Sequence, residues 1–153
     1  MKWKKADVEK YVQAKEYIDT ILLPLIPFQF SQDKDIELVA SQNDLLHIFA
    51  SEIEKELAGR VMLLPSYHYI SSAAKSEEYL RLNSWIQETE KQPFEHAILL
   101  TFDASWKKYE KEITGNLIWL PMIQSESFDS KQIKGLIKNQ VEQICEMIRA
   151  YWQ

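Results

Sequence analysis

Three apolar runs in this chain end at a proline: LLPLIP (Leu22–Pro27), RVMLLP (Arg60–Pro65) and NLIWLP (Asn116–Pro121). A further run, HAILLTF (His96–Phe102), ends at Asp103. Strands that are apolar at successive positions are buried on both faces, and such strands occur in parallel sheets with helices packed on either side. The segments between them carry the three-and-four spacing of helices. This alternation constrains the fold more than any other feature of the chain.

The first strand is expected over Tyr17–Phe28, running into a loop stiffened by Pro24 and Pro27, because proline cannot donate to a strand ladder. The others are expected over Arg60–Leu64, His96–Phe102 and Asn116–Leu120. Asp7–Tyr17 reads as a short helix with Val8, Tyr11 and Val12 on one face. A polar loop, Ser31–Asp35, precedes a helix capped by Asn43 or Asp44. That helix carries Leu46, Phe49, Ile53 and Leu57 to about Ala58, with Gly59 at the left-handed position beyond its end. Another helix starts at Ser76, with Tyr79, Leu82 and Ile86 on one face. A short one at Ser105 carries Trp106, Tyr109 and Ile113, with Gly115 just past it. Asp129 and Gln132 form a capping box for the last helix, whose stripe runs through Ile133, Ile137, Val141, Ile144, Ile148 and Tyr151.

The resulting order, α-β-α-β-α-β-(α)-β-α, predicts a three-layer α/β fold of the Rossmann or flavodoxin-like kind. About four mainly parallel strands carry helices on both faces, joined by right-handed crossovers in strand order 2-1-3-4. The proline-ended strands echo one another, but the helices between them differ, so no repeat is read. With no linker or low-complexity tract, residues 1–153 are expected to form a single domain.

Composition removes several functions. A net charge of −5 argues against nucleic-acid binding, which needs a basic face. The one basic cluster, Lys2, Lys4 and Lys5, reads as a solvated terminus. No apolar stretch approaches the ~18 residues of a membrane span, and the basic start lacks the apolar core of a secretory signal. Cys145 is the sole cysteine, so no internal disulfide can form, and a cytoplasmic location is expected. On the last helix it shares a face with Val141, Ile148 and Trp152 and reads as buried filler. Gly59, Gly115 and Gly135 are too scattered for a G-x-G-x-x-G or P-loop cradle, and no cofactor is expected. His47, His68 and His96 have no metal-ligand spacing, and no metal site is expected.

Ligands of open parallel sheets bind outside the carboxyl ends of the strands. Pro24–Phe30, Pro65–Ser72, Asp103–Trp106 and Pro121–Ser125 converge there. In VMLLPSYHYISS (Val61–Ser72), His68 could act as a general base. Asp103 could orient it or bind a cation, and Ser66 or Ser105 could be the nucleophile. Neither serine sits in a G-x-S-x-G elbow. The plainer reading is a hydrogen-bonded His68, with Asp103 capping the helix at Ser105. Phe28, Phe30, Tyr67, Tyr69, Trp106 and Phe128 gather at the same edge, either as core anchors or as a recognition surface. The candidate binding residues are therefore Tyr67, His68, Tyr69, Trp106 and Phe30.

KWKKADVEKYVQAKEYIDTILLPLIP (Lys2–Pro27), LPSYHY (Leu64–Tyr69) and LLTFDASW (Leu99–Trp106) resemble the YpiF-like family of small proteins from spore-forming Gram-positive bacteria, over most of the chain. None of these stretches is a catalytic signature. The resemblance implies a cytoplasmic single domain and supplies no activity or site residues. The resemblance also implies genes beside those of the menaquinol–cytochrome c reductase, and with them an assembly or regulatory role. Residues and resemblance together predict a non-catalytic binding, regulatory or assembly-accessory domain, acting on a protein or small-molecule partner through the carboxyl edge of its sheet. The rival is a small hydrolase or transferase using His68 and Asp103, and a third option is a homodimer.

Overall fold

The computed structural model describes residues 1–122 and 129–153. Phe128 and residues 123–125 of the fourth strand-end segment lie outside them. In chain order the elements are α1 (Lys5–Gln13), a 3₁₀ turn (Lys15–Tyr17), β1 (Thr20–Phe28), α2 (Asp33–Glu56), β2 (Val61–Leu63) and β3 (Tyr67–Ile70), followed by α3 (Lys75–Thr89), β4 (His96–Thr101), a 3₁₀ helix (Ala104–Tyr109), β5 (Asn116–Trp119) and α4 (Ser130–Tyr151). Every pairing among the described strands is parallel. The order β2-β1-β4-β5 is the expected 2-1-3-4, and β3 pairs with β1 as well.

Two expectations about the strands are corrected, for one reason. β1 does not stop at Pro24 but runs through both prolines to Phe28. Its neighbour does not end at Pro65 either. It resumes as β3, so Thr20–Leu22 pair with β2 and Leu25–Phe28 pair with β3. Successive residues of a strand direct their backbone polar groups to opposite neighbours. The carbonyls of Leu22 and Phe28 accept from Leu64 and Ser71, at 3.0 and 2.9 Å, so the even positions of β1 face β2 and β3. Pro24 therefore faces the gap between those strands, where Pro65 interrupts the chain. Pro27 faces β4, whose pairing with β1 ends at Pro24 and Leu100. Both missing N–H groups fall where no ladder bond is made.

The second helix also differs. It starts at Asp33, about three turns before Asn43, and absorbs Asp33–Asp35 of the expected polar loop. Gln32 gives it no side-chain cap, and Ile36 and Val39 are only half-buried, so its opening lacks the usual start signals. Asp33 and Asp35 in its first turn suit the helix dipole. Gly59 takes the left-handed conformation expected of it, with φ +93°. The capping box of Asp129 and Gln132 is present as well.

The sheet carries a core on each face. α2 and α4 bury Phe49, Ile53, Val141, Ile144 and Ile148 against Leu22, Ile98 and Ile118. α3 and the second 3₁₀ helix bury Leu82, Ile86 and Trp106 against Tyr67, Tyr69 and Leu99. Cys145 is buried in the first core, and that burial pushes its thiol up to about 11, which suits filler rather than a nucleophile. Among the described residues no helix is long and apolar enough to cross a membrane.

Candidate functional site

The alternation of β3 sorts the residues singled out in the sequence. Tyr67 and Tyr69 are buried on one face of the sheet, while His68 and Ile70 are exposed on the other. Tyr69 donates to Asp103 Oδ2 at 2.6 Å, which ties Asp103 to the face that His68 turns away from. The structure therefore does not bring His68 and Asp103 together. Asp103 Oδ1 instead accepts from Ser105, from Oγ at 2.6 Å and from the backbone N–H at 3.0 Å, capping the 3₁₀ helix as the plainer reading expected. Lys75, its side chain 9% exposed, lies 3.6 Å from Asp103 Oδ2 and over the Tyr69 ring. Burial alone would raise the Asp103 carboxyl, but the bonds from Ser105 and Tyr69 and the charge of Lys75 outweigh it and hold the carboxyl below the ordinary range.

Three of the five candidate binding residues are thus core. Tyr67, Tyr69 and Trp106 are essentially inaccessible, because the strand that resumes after Pro65 turns the tyrosines inward under α3. Trp106 Nε1 is buried with no hydrogen-bond partner among the described residues. Phe30 is exposed and meets Phe28 edge-on at 6.3 Å. With His68, Ile36 and Val39 they line a hollow of about 240 Å³ between the end of β1 and the start of α2. The His68 carbonyl accepts from Arg81 Nη2 at 2.5 Å. Partial burial holds the His68 imidazole below its ordinary value, and the neighbouring His47 and Arg81 act in the same direction.

A larger concavity opens on the side of the sheet, where the break between β2 and β3 meets α1 and α3. α1 buries only Tyr11, so it lies across the sheet edge without sealing it. The groove encloses about 590 Å³. Its walls are Trp3, Val8, Tyr11 and Val12 on one side, Met62, Leu64 and Pro65 at the base, and Trp85, Thr89 and Phe94 opposite. Tyr11 stacks on Phe94 at 5.4 Å, and its hydroxyl donates to Gln92 Oε1 at 3.1 Å. Lys15 and Glu88 supply charge among otherwise mostly apolar walls. The sequence hinted at this site only through the face shared by Val8, Tyr11 and Val12.

A smaller cavity of about 220 Å³ adjoins the groove and shares Trp3, Leu64 and Pro65 with it. It contains Ser66, which is bonded not to His68 but to His47 on α2, Oγ to Nε2, at 3.0 Å. The other ring nitrogen of His47 lies 2.9 Å from the carbonyl of Asn43. Sequence reasoning missed this pairing, since nothing local to His47 says which part of the edge strand it will face.

At the amino end of the sheet, ligand atoms of Asp19, Glu95 and His96 lie within 4.8 Å of one another. Both Asp19 oxygens already accept from Arg60, each at 2.9 Å. The Arg60 guanidinium also lies 3.9 Å over the ring of Trp152. The arrangement is a closed ion pair that ties β1 to the start of β2.

The family model described as a protein of unknown function (DUF2487) matches residues 9–152. The chain is 27% identical over 152 residues to the uncharacterized protein YpiF of Bacillus subtilis (strain 168), covering 99% of this chain and 98% of that protein. No solved structure matches.

Proposed function

The chain belongs to the DUF2487 family, and from that premise we propose that it is a cytoplasmic binding protein for a small, largely apolar molecule held between α1 and α3. The observation that carries this reading is the groove itself. Its volume of about 590 Å³ falls within the range of roughly 300–1,000 Å³ typical of small-molecule pockets. Its walls are chiefly aromatic and aliphatic, with a few polar groups, which is the usual composition of such a site. The carboxyl edge serves this role less well, because Tyr67, Tyr69 and Trp106 are consumed by the core and the hollow beside Phe30 is less than half the size.

Intrinsic fluorescence tests the reading, because Trp3 and Trp85 both line the groove. Titration with anilinonaphthalene sulfonate, then with aliphatic and quinone-like amphiphiles, should quench it saturably. Val12→Glu should abolish the response without lowering the melting temperature, since Val12 lines the groove but is 59% exposed. No saturable quenching by any member of the panel, or quenching that ignores Val12→Glu, would remove the reading.

A further inference from the structure

The hydrogen bonds of His47 select the tautomer of its neutral ring. A carbonyl oxygen can only accept, so the contact with Asn43 requires the hydrogen on Nδ1. In the neutral ring Nε2 is then the bare nitrogen, and it faces Ser66 Oγ at 3.0 Å, where it takes the hydroxyl hydrogen. This is the arrangement of a serine activated by a general base, with a backbone carbonyl as the third group that orients the base. Both side chains are on rigid supports. His47 lies in the middle of α2, and Ser66 is held between β2 and β3 by the pairing of those strands with β1. Neither residue is sealed in the core, and both line the cavity of about 220 Å³ that shares Trp3, Leu64 and Pro65 with the apolar groove. Lys2 lines the same cavity and brings positive charge to it.

We propose that Ser66 is an acyl-accepting nucleophile, with His47 as its base, acting on carboxylic esters whose acyl chain lies in the groove. Ser66 Oγ forms a bond to the ester carbonyl carbon while its proton passes to His47 Nε2. The carbon–oxygen bond to the alcohol then breaks, and the alcohol leaves with that proton. Water attacks the acyl-serine, giving a proton to Nε2 as it does so. The acid departs, and the proton returns to Ser66 Oγ. The net reaction is ester plus water to acid plus alcohol. Lys2 lines the same cavity, with its Nζ donating to Ser51 Oγ at 3.1 Å. The acyl specificity rests on the groove reading, whereas the nucleophile rests on His47 and Ser66 alone.

The test is covalent. The full chain is treated with an alkyl fluorophosphonate and, separately, with the compact phenylmethanesulfonyl fluoride, and the adducts are mapped by mass spectrometry. Ser66 should carry the label. His47→Gln should slow labelling about a hundredfold, while His68→Ala and Ser105→Ala should not. Release of p-nitrophenolate from p-nitrophenyl butyrate should vanish in Ser66→Ala. An unlabelled Ser66 in the wild-type chain, which needs no variant to fold, would overturn the proposal, and so would labelling of His47→Gln at the wild-type rate. Saturable dye binding beside an unreactive Ser66 would leave the groove reading standing. Labelling by both reagents at one rate, with no dye binding, would leave the nucleophile and remove the acyl specificity.

Discussion

The two faces of the sheet are both covered but differently built. Under α2 and α4 the core is mainly aliphatic, with Phe49 and Phe102 meeting edge-on at 5.9 Å. Under α3 it is a set of interlocked rings: Tyr67 on Trp85 at 5.1 Å and Tyr69 on Trp106 at 5.2 Å. The aliphatic face has few polar ends to place, so its stability depends on volume alone. On the aromatic face the phenols need named partners. Tyr67 donates to Glu78, Tyr69 to Asp103, and Arg81 and Lys75 lie over their rings. A core of this second kind carries a fixed polar rim to the surface, and Trp85 on that face is also a wall of the groove.

The sharpest way to break the comparison is to remove volume from one face and only an oxygen from the other. Phe49→Ala should cost about 3–5 kcal/mol in denaturant unfolding, through the cavity it leaves. Tyr69→Phe removes no packing yet should cost about 1–3 kcal/mol, because Asp103 loses a donor in a buried setting. A loss below about 0.5 kcal/mol would mean that the aromatic face also stands on volume alone. The third test is acid. Asp103 is held below its unfolded value of 3.8, so its contribution is complete above that pH and is lost as pH falls through the window beneath it. Unfolding curves from pH 5 to pH 2 should therefore fall less steeply for Asp103→Asn than for the wild type. The smallest effect belongs to His68, whose folded value lies below 6.5. Its unfolded form takes up a proton more readily, so the wild type loses stability as pH drops through the window below 6.5. His68→Ala should melt within about 0.5 kcal/mol of the wild type at pH 8, as an exposed side chain does, and should gain on it as pH falls through that window.

The strands and their order were legible because burial on both faces leaves an unbroken apolar run, and short crossovers leave few ways to arrange four such runs. β3 was hidden because Pro65 reads as a terminator, and only its register against Pro24 shows why the strand can resume. The first turns of α2 were hidden because they lack a cap and an apolar stripe. The capping role of Asp103 was readable locally, two residues before Ser105. The bond between His47 and Ser66 was not, since it depends on where α2 crosses a gap in the edge strand. The groove needs α1, β2 and α3 placed together, which no window of sequence contains.

The prolines of β1 also bear on how the chain is made. β1 is synthesised before its partners, and the segments that flank it in the sheet follow only roughly 40 and roughly 75 residues later. Until then TILLPLIPF is a bare apolar ribbon, of the length and character that stacks with copies of itself. Pro24 and Pro27 each delete a donor and cut the ribbon into pieces too short for a continuous intermolecular ladder. In the finished sheet the same two residues forfeit no bond. They act as guards for a nascent strand that has to wait for its neighbours.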